Sequence, residues 1–394
     1  MLKALGWFLF LAFDAAIVVW FVHRQPEVAP APAVSVAVPT SQPSPLAAAD
    51  MAIAQAGFNA FSFQYANEIA RTDGTRNMVF SPLTTYVQLL FLERAANHRL
   101  GKPDSSDAAR SAQALDELLK DAAFSFSSDF TLSHDIGIDE WTRTELTRNK
   151  IAYWVDPAKL AVIPSRFGEE RLERERIHGL WTSRFRLKCT WIVDGNTSAK
   201  EAPFQPLSGD SGARWYTSFV GPAKSNSASG GAPVFLEVPF NEGYSLLAIM
   251  PEKWDPRQAI SALQSVITGD EVFGWDKTEV TIPVFWYKCD GHIDLLLENL
   301  GYLRSFEDCI PLLGPLLRNV DHRVKVDAMA KILCYRQGVM LEAETKTEVI
   351  YDCIIEAKKS VVLDRPFLYA IRHNATGIIV GLGWVVDPVI EKPK

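Results

Sequence analysis

Gly338-Val339-Met340-Leu341-Glu342-Ala343-Glu344-Thr345-Lys346-Thr347-Glu348-Val349 is the stretch on which the reading of this chain turns. Val339, Leu341, Ala343, Thr345, Thr347 and Val349 fall on one side of it and none is charged; Met340, Glu342, Glu344, Lys346 and Glu348 fall on the other. A period of two is the pattern of a strand with one buried and one wet face. Yet the segment follows a strand-like run, Val324 to Tyr335, that Arg336-Gln337-Gly338 breaks. It must also cross as a loop before Val361-Val362-Leu363-Asp364-Arg365-Pro366-Phe367. A loop written like a half-buried strand can be exposed and can also join a sheet.

Working outward, Leu363-Asp364-Arg365-Pro366-Phe367-Leu368 and Gly381-Leu382-Gly383-Trp384-Val385-Val386-Asp387-Pro388 read as two apolar strands. Upstream lie Asn77-Met78-Val79-Phe80-Ser81-Pro82-Leu83-Thr84, Leu236-Glu237-Val238-Pro239-Phe240 and Ser245-Leu246-Leu247-Ala248-Ile249-Met250-Pro251. Val280-Thr281-Ile282-Pro283-Val284-Phe285 and Leu297-Glu298-Asn299-Leu300-Gly301-Tyr302 follow. In this order and spacing, from Phe58 to Pro388, the chain resembles the serpins, the serine protease inhibitor superfamily, as a divergent and membrane-anchored member. The resemblance implies an α+β fold: N-terminal helices, large antiparallel β-sheets and an exposed reactive-centre loop. The residues point the same way, because helical patterns fill Met51–Ala70, Pro82–Asn97 and Asp107–Ala122 while strand-like runs follow Lys188. Arg143–Arg184 is rich in charge, and its Glu169–Arg176 portion reads as a solvated helix.

The resemblance also implies a mechanism. A serine protease, or as the other class a cysteine protease, attacks the loop and forms an acyl-enzyme. The cut loop then enters the central sheet as a new strand and drags the enzyme with it. Gly338, Val339, Leu341, Ala343, Thr345, Thr347 and Val349 would be the inserting hinge. Counting forward from Gly338 puts the reactive bond near Asp352–Cys353, and counting back from Pro366 puts it near Ile355–Glu356, so Asp352, Cys353, Ile354, Ile355 and Glu356 are all candidates. Ile354-Ile355 would suit an elastase-like or subtilisin-like pocket.

Departures from the family pattern count against this. Val339-Met340-Leu341 stands where a threonine and then small residues are usual, and Ala328-Met329-Ala330 replaces a His-Lys-Ala whose histidine ties the moving strands together. Ser81 and Thr84 preserve the hydroxyl partners of that sheet-opening region, whereas the family tryptophan at the top of the sheet is expected to be missing, with Ala199-Lys200 at its place. The alternative is therefore a non-inhibitory serpin-fold binding protein whose hinge has lost insertion.

Other features bound the function. A net charge of −7 gives no reason to expect nucleic acid as a partner. No cofactor or metal is implied, since the five cysteines, Cys189, Cys289, Cys309, Cys334 and Cys353, show no metal-ligand spacing. Cys289 and Cys334 read as buried strand residues, and Cys353 lies in the loop. Gly209-Asp210-Ser211-Gly212 matches the motif around a protease nucleophile. It sits in a Gly/Ser-rich turn without the setting of its base, so Ser211 reads as a loop residue and the protein as no enzyme.

Residues 1–24 hold Ala4 to Val22, nineteen residues broken only by Asp14. As a helix the run would be roughly 28 Å long, near the ~30 Å bilayer core, against a cost of about 3 kcal/mol for Asp14. Residues 25–48 form a Pro/Ala-rich extended spacer. The expectation is a single-pass N-terminal membrane anchor carrying a monomeric domain, residues 49–394, outside the cytoplasm, in the periplasm or the extracellular space.

Overall fold

The computed structural model describes residues 48–100, 123–132, 140–148, 151–155, 179–208, 211–226, 233–269, 274–302, 327–335, 337–341 and 359–388, with single positions between 111 and 138. Residues 1–47, which hold the expected anchor and nearly all of the spacer, lie outside them. Among the described residues no helix is long and apolar enough to cross a membrane.

The first helix, α1 (Ala48–Thr72), forms because Ala54, Phe58, Phe61, Tyr65 and Ile69 recur at helical spacing and are all buried. Strand β1 (Met78–Phe80) leads through Ser81 and Pro82 into α2 (Pro82–Arg99), with proline where a helix has no amide to lose. Of Asp107–Ala122, the described residues Ser111, Ala114, Leu115 and Leu118 are helical and buried. The charge-rich span Arg143–Arg184 divides between α3 (Glu140–Arg148), β3 (Ile151–Val155) and the start of β4 (Gly179–Thr190); its Glu169–Arg176 portion lies outside the described residues.

Two sheets make the body. The larger joins β1, β15 (Ile379–Val385), β14 (Phe367–His373), β8 (Tyr244–Met250), β7 (Val234–Pro239), β6 (Gly212–Ser225), β9 (Asp276–Pro283) and β13 (Lys359–Val362) in that order, with β5 (Ser198–Phe204) on β6. Every residue of β8 and β15 is buried, which is why these strands read as unbroken apolar runs. α4 (Pro256–Thr268) packs on β8 and β14. Asn77 Oδ1 accepts from the amides of Val386 (2.8 Å) and Asp387 (3.1 Å), so the segment that closes β1 also ends β15.

The second, six-stranded sheet runs β10 (Phe285–His292), β11 (Asp327–Tyr335), β12 (Gly338–Leu341), β4, β2 (Phe124–Leu132), β3. Its outer wall is bolted to the larger sheet through a buried tyrosine pair. The hydroxyls of Tyr287 on β10 and Tyr369 on β14 lie 2.8 Å apart, and Tyr287 Oη is also 3.1 Å from the carbonyl of Met78 and 3.2 Å from that of Trp384. Burial pushes both phenols well above their usual pKa, so they stay neutral and able to donate. Gly383 leaves the room for this junction, because a Cβ there would fall 2.1 Å from the Met78 carbonyl. Tyr287→Phe is expected to lower unfolding free energy by about 1–3 kcal/mol, read from urea denaturation, since it strands buried acceptors without changing shape.

Candidate functional site

Residues 338–341, the described part of the expected hinge, form a strand within the sheet. The chain reverses between Tyr335 and Gly338 and re-enters as β12, which pairs antiparallel with β11 on one side and with β4 on the other. Gly338 faces Thr190, Val339 faces Cys189, Met340 faces Lys188 and Leu341 faces Leu187; across the other ladder Val339 faces Cys334. Val339 is 2 % exposed, in agreement with the alternation, and lies in one core cluster with Cys189, Leu187, Cys334 and Ile332. Ala343, Thr345, Thr347 and Val349 of the hinge, and Asp352, Cys353, Ile354, Ile355 and Glu356 of the reactive-bond region, lie outside the described residues.

Gly338 is fixed by proximity rather than by a left-handed backbone. A Cβ on it would meet the carbonyl oxygen of Cys189 at 1.9 Å and Thr190 Cα at 2.9 Å, both backbone atoms that cannot swing away. Only glycine lets the hinge strand start this close to β4.

β12 touches only Leu187–Thr190 of β4 and Leu333–Tyr335 of β11. Among the described residues no ladder joins β4 to β11 directly, so Gly179–Arg186 and Asp327–Ile332 flank a slot that continues β12. On the α2 side of the sheet, Gln88 Nε2 donates to Ser183 Oγ (3.0 Å), which is 2.8 Å from Ser128 Oγ. The site thus has a strand already seated at one end and hydroxyls on the same side of the sheet beside the open stretch.

The top of the slot corrects the sequence reading. The tryptophan expected to be missing is Trp191, directly after β4, and Ala199-Lys200 sits on edge strand β5 instead. Trp191 is 3 % exposed and stacks on Phe240 (4.7 Å between centroids) and Phe219 (5.2 Å). Its indole donates to Tyr335 O at 3.4 Å and its amide to Gln337 O at 3.0 Å, so it braces the reversal on both sides. Glu242, in the turn between β7 and β8, accepts from the Thr190 amide and hydroxyl at 2.7 Å each. Sequence reasoning passed over both residues. The signal for Trp191 was present: Phe185, Leu187, Cys189 and Trp191 continue one face of β4.

The sheet-opening residues are also used differently. Ser81 Oγ donates to Val380 O (2.9 Å) and Thr84 Oγ1 to Ser81 O (3.3 Å), so these hydroxyls tie α2 to the larger sheet and to its own first turn rather than to the moving strands. Ala328 faces Gly291 across the β11–β10 ladder, a row without hydrogen-bonding side chains. Cys334 is buried and Cys289 half-buried, as strand residues; burial pushes the Cys189 and Cys334 thiols far above their usual range. Ser211 is exposed just before β6, in a turn whose Gly209 and Asp210 lie outside the described residues.

This two-sheet architecture is shared with solved structures. Mouse protein-Z dependent protease inhibitor superposes with a TM-score of 0.66 at 18% identity, covering 86% of this chain and 98% of that one. Human thyroxine-binding globulin superposes at 0.67 and 12% identity, covering 87% and 100%. The fold is a serpin fold. Residues 227–388 match the family described as serpin (serine protease inhibitor). Glia-derived nexin of Rattus norvegicus is 26% identical over 224 residues, 53% of this chain and 52% of that protein. The chain thus spans about half the length of the curated relatives it matches. Within this serpin fold the likeness holds for an inhibitor and a thyroxine-binding globulin alike, so it fixes architecture only.

Gly338→Ala should expel β12. Overpacking of about 1–3 kcal/mol would speed amide hydrogen exchange at residues 339–341 roughly ten- to a hundredfold. Unchanged protection there would refute the close approach.

Proposed function

We propose that this protein is a suicide-substrate inhibitor of a serine protease, with a cysteine protease as the other class, acting by insertion of its cut loop. One observation carries the reading: residues 338–341 already lie between β11 and β4, and among the described residues no strand or ladder joins β11 to β4 beyond them. Continuing the register set by Gly338 against Thr190 and Leu341 against Leu187 brings Ala343 opposite Phe185, Thr345 opposite Ser183, Thr347 opposite Trp181 and Val349 opposite Gly179. The uncharged face of the loop would then run out where β4 begins. Thr345 would arrive beside the hydroxyl of Ser183, whose partners are Ser128 and Gln88.

Chemically, the protease supplies the nucleophile and the loop supplies the scissile carbonyl, so this chain needs no catalytic group. Its contribution is the strand exchange: backbone amides and carbonyls of residues 342–349 pass from water to the edges of β4 and β11. β13 holds the far end of the loop on β9, in a parallel ladder from Lys359 against Thr278 to Val362 against Thr281. The intact loop is therefore held at both ends until it is cut. The reactive bond falls within Asp352 to Glu356. The partner is a protease that reaches a membrane surface, because the apolar run Ala4 to Val22 supports a domain carried outside the cytoplasm on an N-terminal anchor.

The second reading, a serpin-fold binding protein without insertion, is favoured by Ala328 facing Gly291 and by Ser81 and Thr84 bonding elsewhere. Incubation of the full chain with subtilisin, elastase and trypsin separates the two. A complex that survives SDS, together with a large upward shift in the thermal midpoint of the cut chain, is expected. Clean cleavage with neither would remove the inhibitor reading. Thr345→Asp is expected to turn the protein into a substrate, with the SDS-stable band lost and cut chain accumulating, because insertion would bury a carboxylate at a penalty of several kcal/mol.

A further inference from the structure

We propose that Cys189 and Cys334 are a modification site, a disulfide that closes the top of the central sheet and bars the hinge strand from it. This rests on the reading above that β12 leaves and enters the sheet. Val339 is the register partner of both cysteines, Cys189 across the β4 ladder and Cys334 across the β11 ladder. Residues opposite one another in antiparallel ladders share a face, and all three are buried in the same core cluster. With β12 in place the two cysteines are two strand widths apart, about 10 Å, beyond the roughly 7 Å that a disulfide can span between Cα atoms. With β12 withdrawn and β4 closed on β11, one width of about 4.8 Å would separate them, inside the disulfide range. Val339 and the sulfur–sulfur bond compete for the same place.

β4 and β11 are both antiparallel to β12 and so parallel to each other, and sideways closure keeps the cysteines in one row on one face. Each cysteine is one residue from the end of its strand, beside the reversal at Gln337. The chemistry is thiol–disulfide exchange with a low-molecular-weight disulfide. One thiolate attacks the oxidant and forms a mixed disulfide, releasing one thiol. The second thiolate attacks the protein sulfur of that bond, forming the Cys189–Cys334 link and releasing the second thiol. Two S–H bonds are lost, one S–S bond is gained, and the oxidant takes up the two electrons and two protons. Burial keeps both thiols protonated while β12 is seated, which slows exchange in that state.

The test treats the full chain with oxidised glutathione under native conditions, blocks free thiols, digests and identifies linked peptides by mass spectrometry. A peptide pair joining Cys189 to Cys334 is expected in the oxidised sample and not in one treated with dithiothreitol. After cleavage of the loop by subtilisin, the oxidised chain should lose the rise in thermal midpoint, and dithiothreitol should restore it. Cys334→Ala, and separately Cys189→Ala, should abolish the link and make the rise insensitive to oxidant. Absence of the linked peptide, or a linked chain whose midpoint still rises on cleavage, overturns the proposal. If the reduced wild-type chain shows no rise at all, it is the insertion reading that fails, and the linked peptide still decides whether the two thiols meet.

Discussion

Backbone amides and carbonyls along a strand edge must find partners or stay in water, and the central sheet of this protein depends on how that requirement is met at one place. Four residues, Gly338 to Leu341, supply the ladder that joins β11 to β4. Among the described residues, everything on the β4 side, with β2 and β3 beyond it, is connected within the sheet to β10 and β11 through that short strand. The ladder in turn depends on Gly338 having no Cβ and on Trp191 and Glu242 holding the end of β4 in position. Among the described residues, a sheet joined this way has one seam, at β12.

The rest of the fold is built to keep that seam the weakest line. The larger sheet is packed on both faces along β8 and β15, and the tyrosine pair fastens β10 to it. Ser81 adds a tie from α2 to Val380. One wall of the slot therefore belongs to a rigid body. The other wall is backed by α2, where the Gln88–Ser183 hydrogen bond stands beside an apolar cluster that holds Leu83, Val87 and Leu187.

Much of this was legible in the sequence, for physical reasons. Strands β8 and β15 and the first five residues of β14 are buried, largely apolar runs because both faces are covered, and α1 shows its buried stripe at Phe58, Phe61 and Tyr65. The alternation after Gly338 correctly placed Val339 on a buried face. Three things escaped. The reversal at Gln337 was hidden because a two-residue turn and the start of a free loop have the same composition. Trp191 was passed over because the place at the top of the sheet was assigned to Ala199-Lys200, and the sequence marks no end for β4 at Thr190. Glu242 contacts Thr190 across 52 positions of sequence, and a single carboxylate in a polar turn carries no periodic mark of its partner. The partners of the Ser81 and Thr84 hydroxyls, Val380 O and Ser81 O, have no mark in the sequence, since side-chain direction at a helix start is set by the packing of the whole helix.

The shared direction of β4 and β11 has a further consequence. A ribbon entering between them meets two flanks that point the same way, so it forms two antiparallel ladders or two parallel ones and never one of each. The hairpin at Gln337 commits the chain's own segment to the first choice. A separate peptide in the same groove is free of that commitment and can lie either way, antiparallel to both flanks or parallel to both, so it is the tether of the chain's own segment that selects a direction.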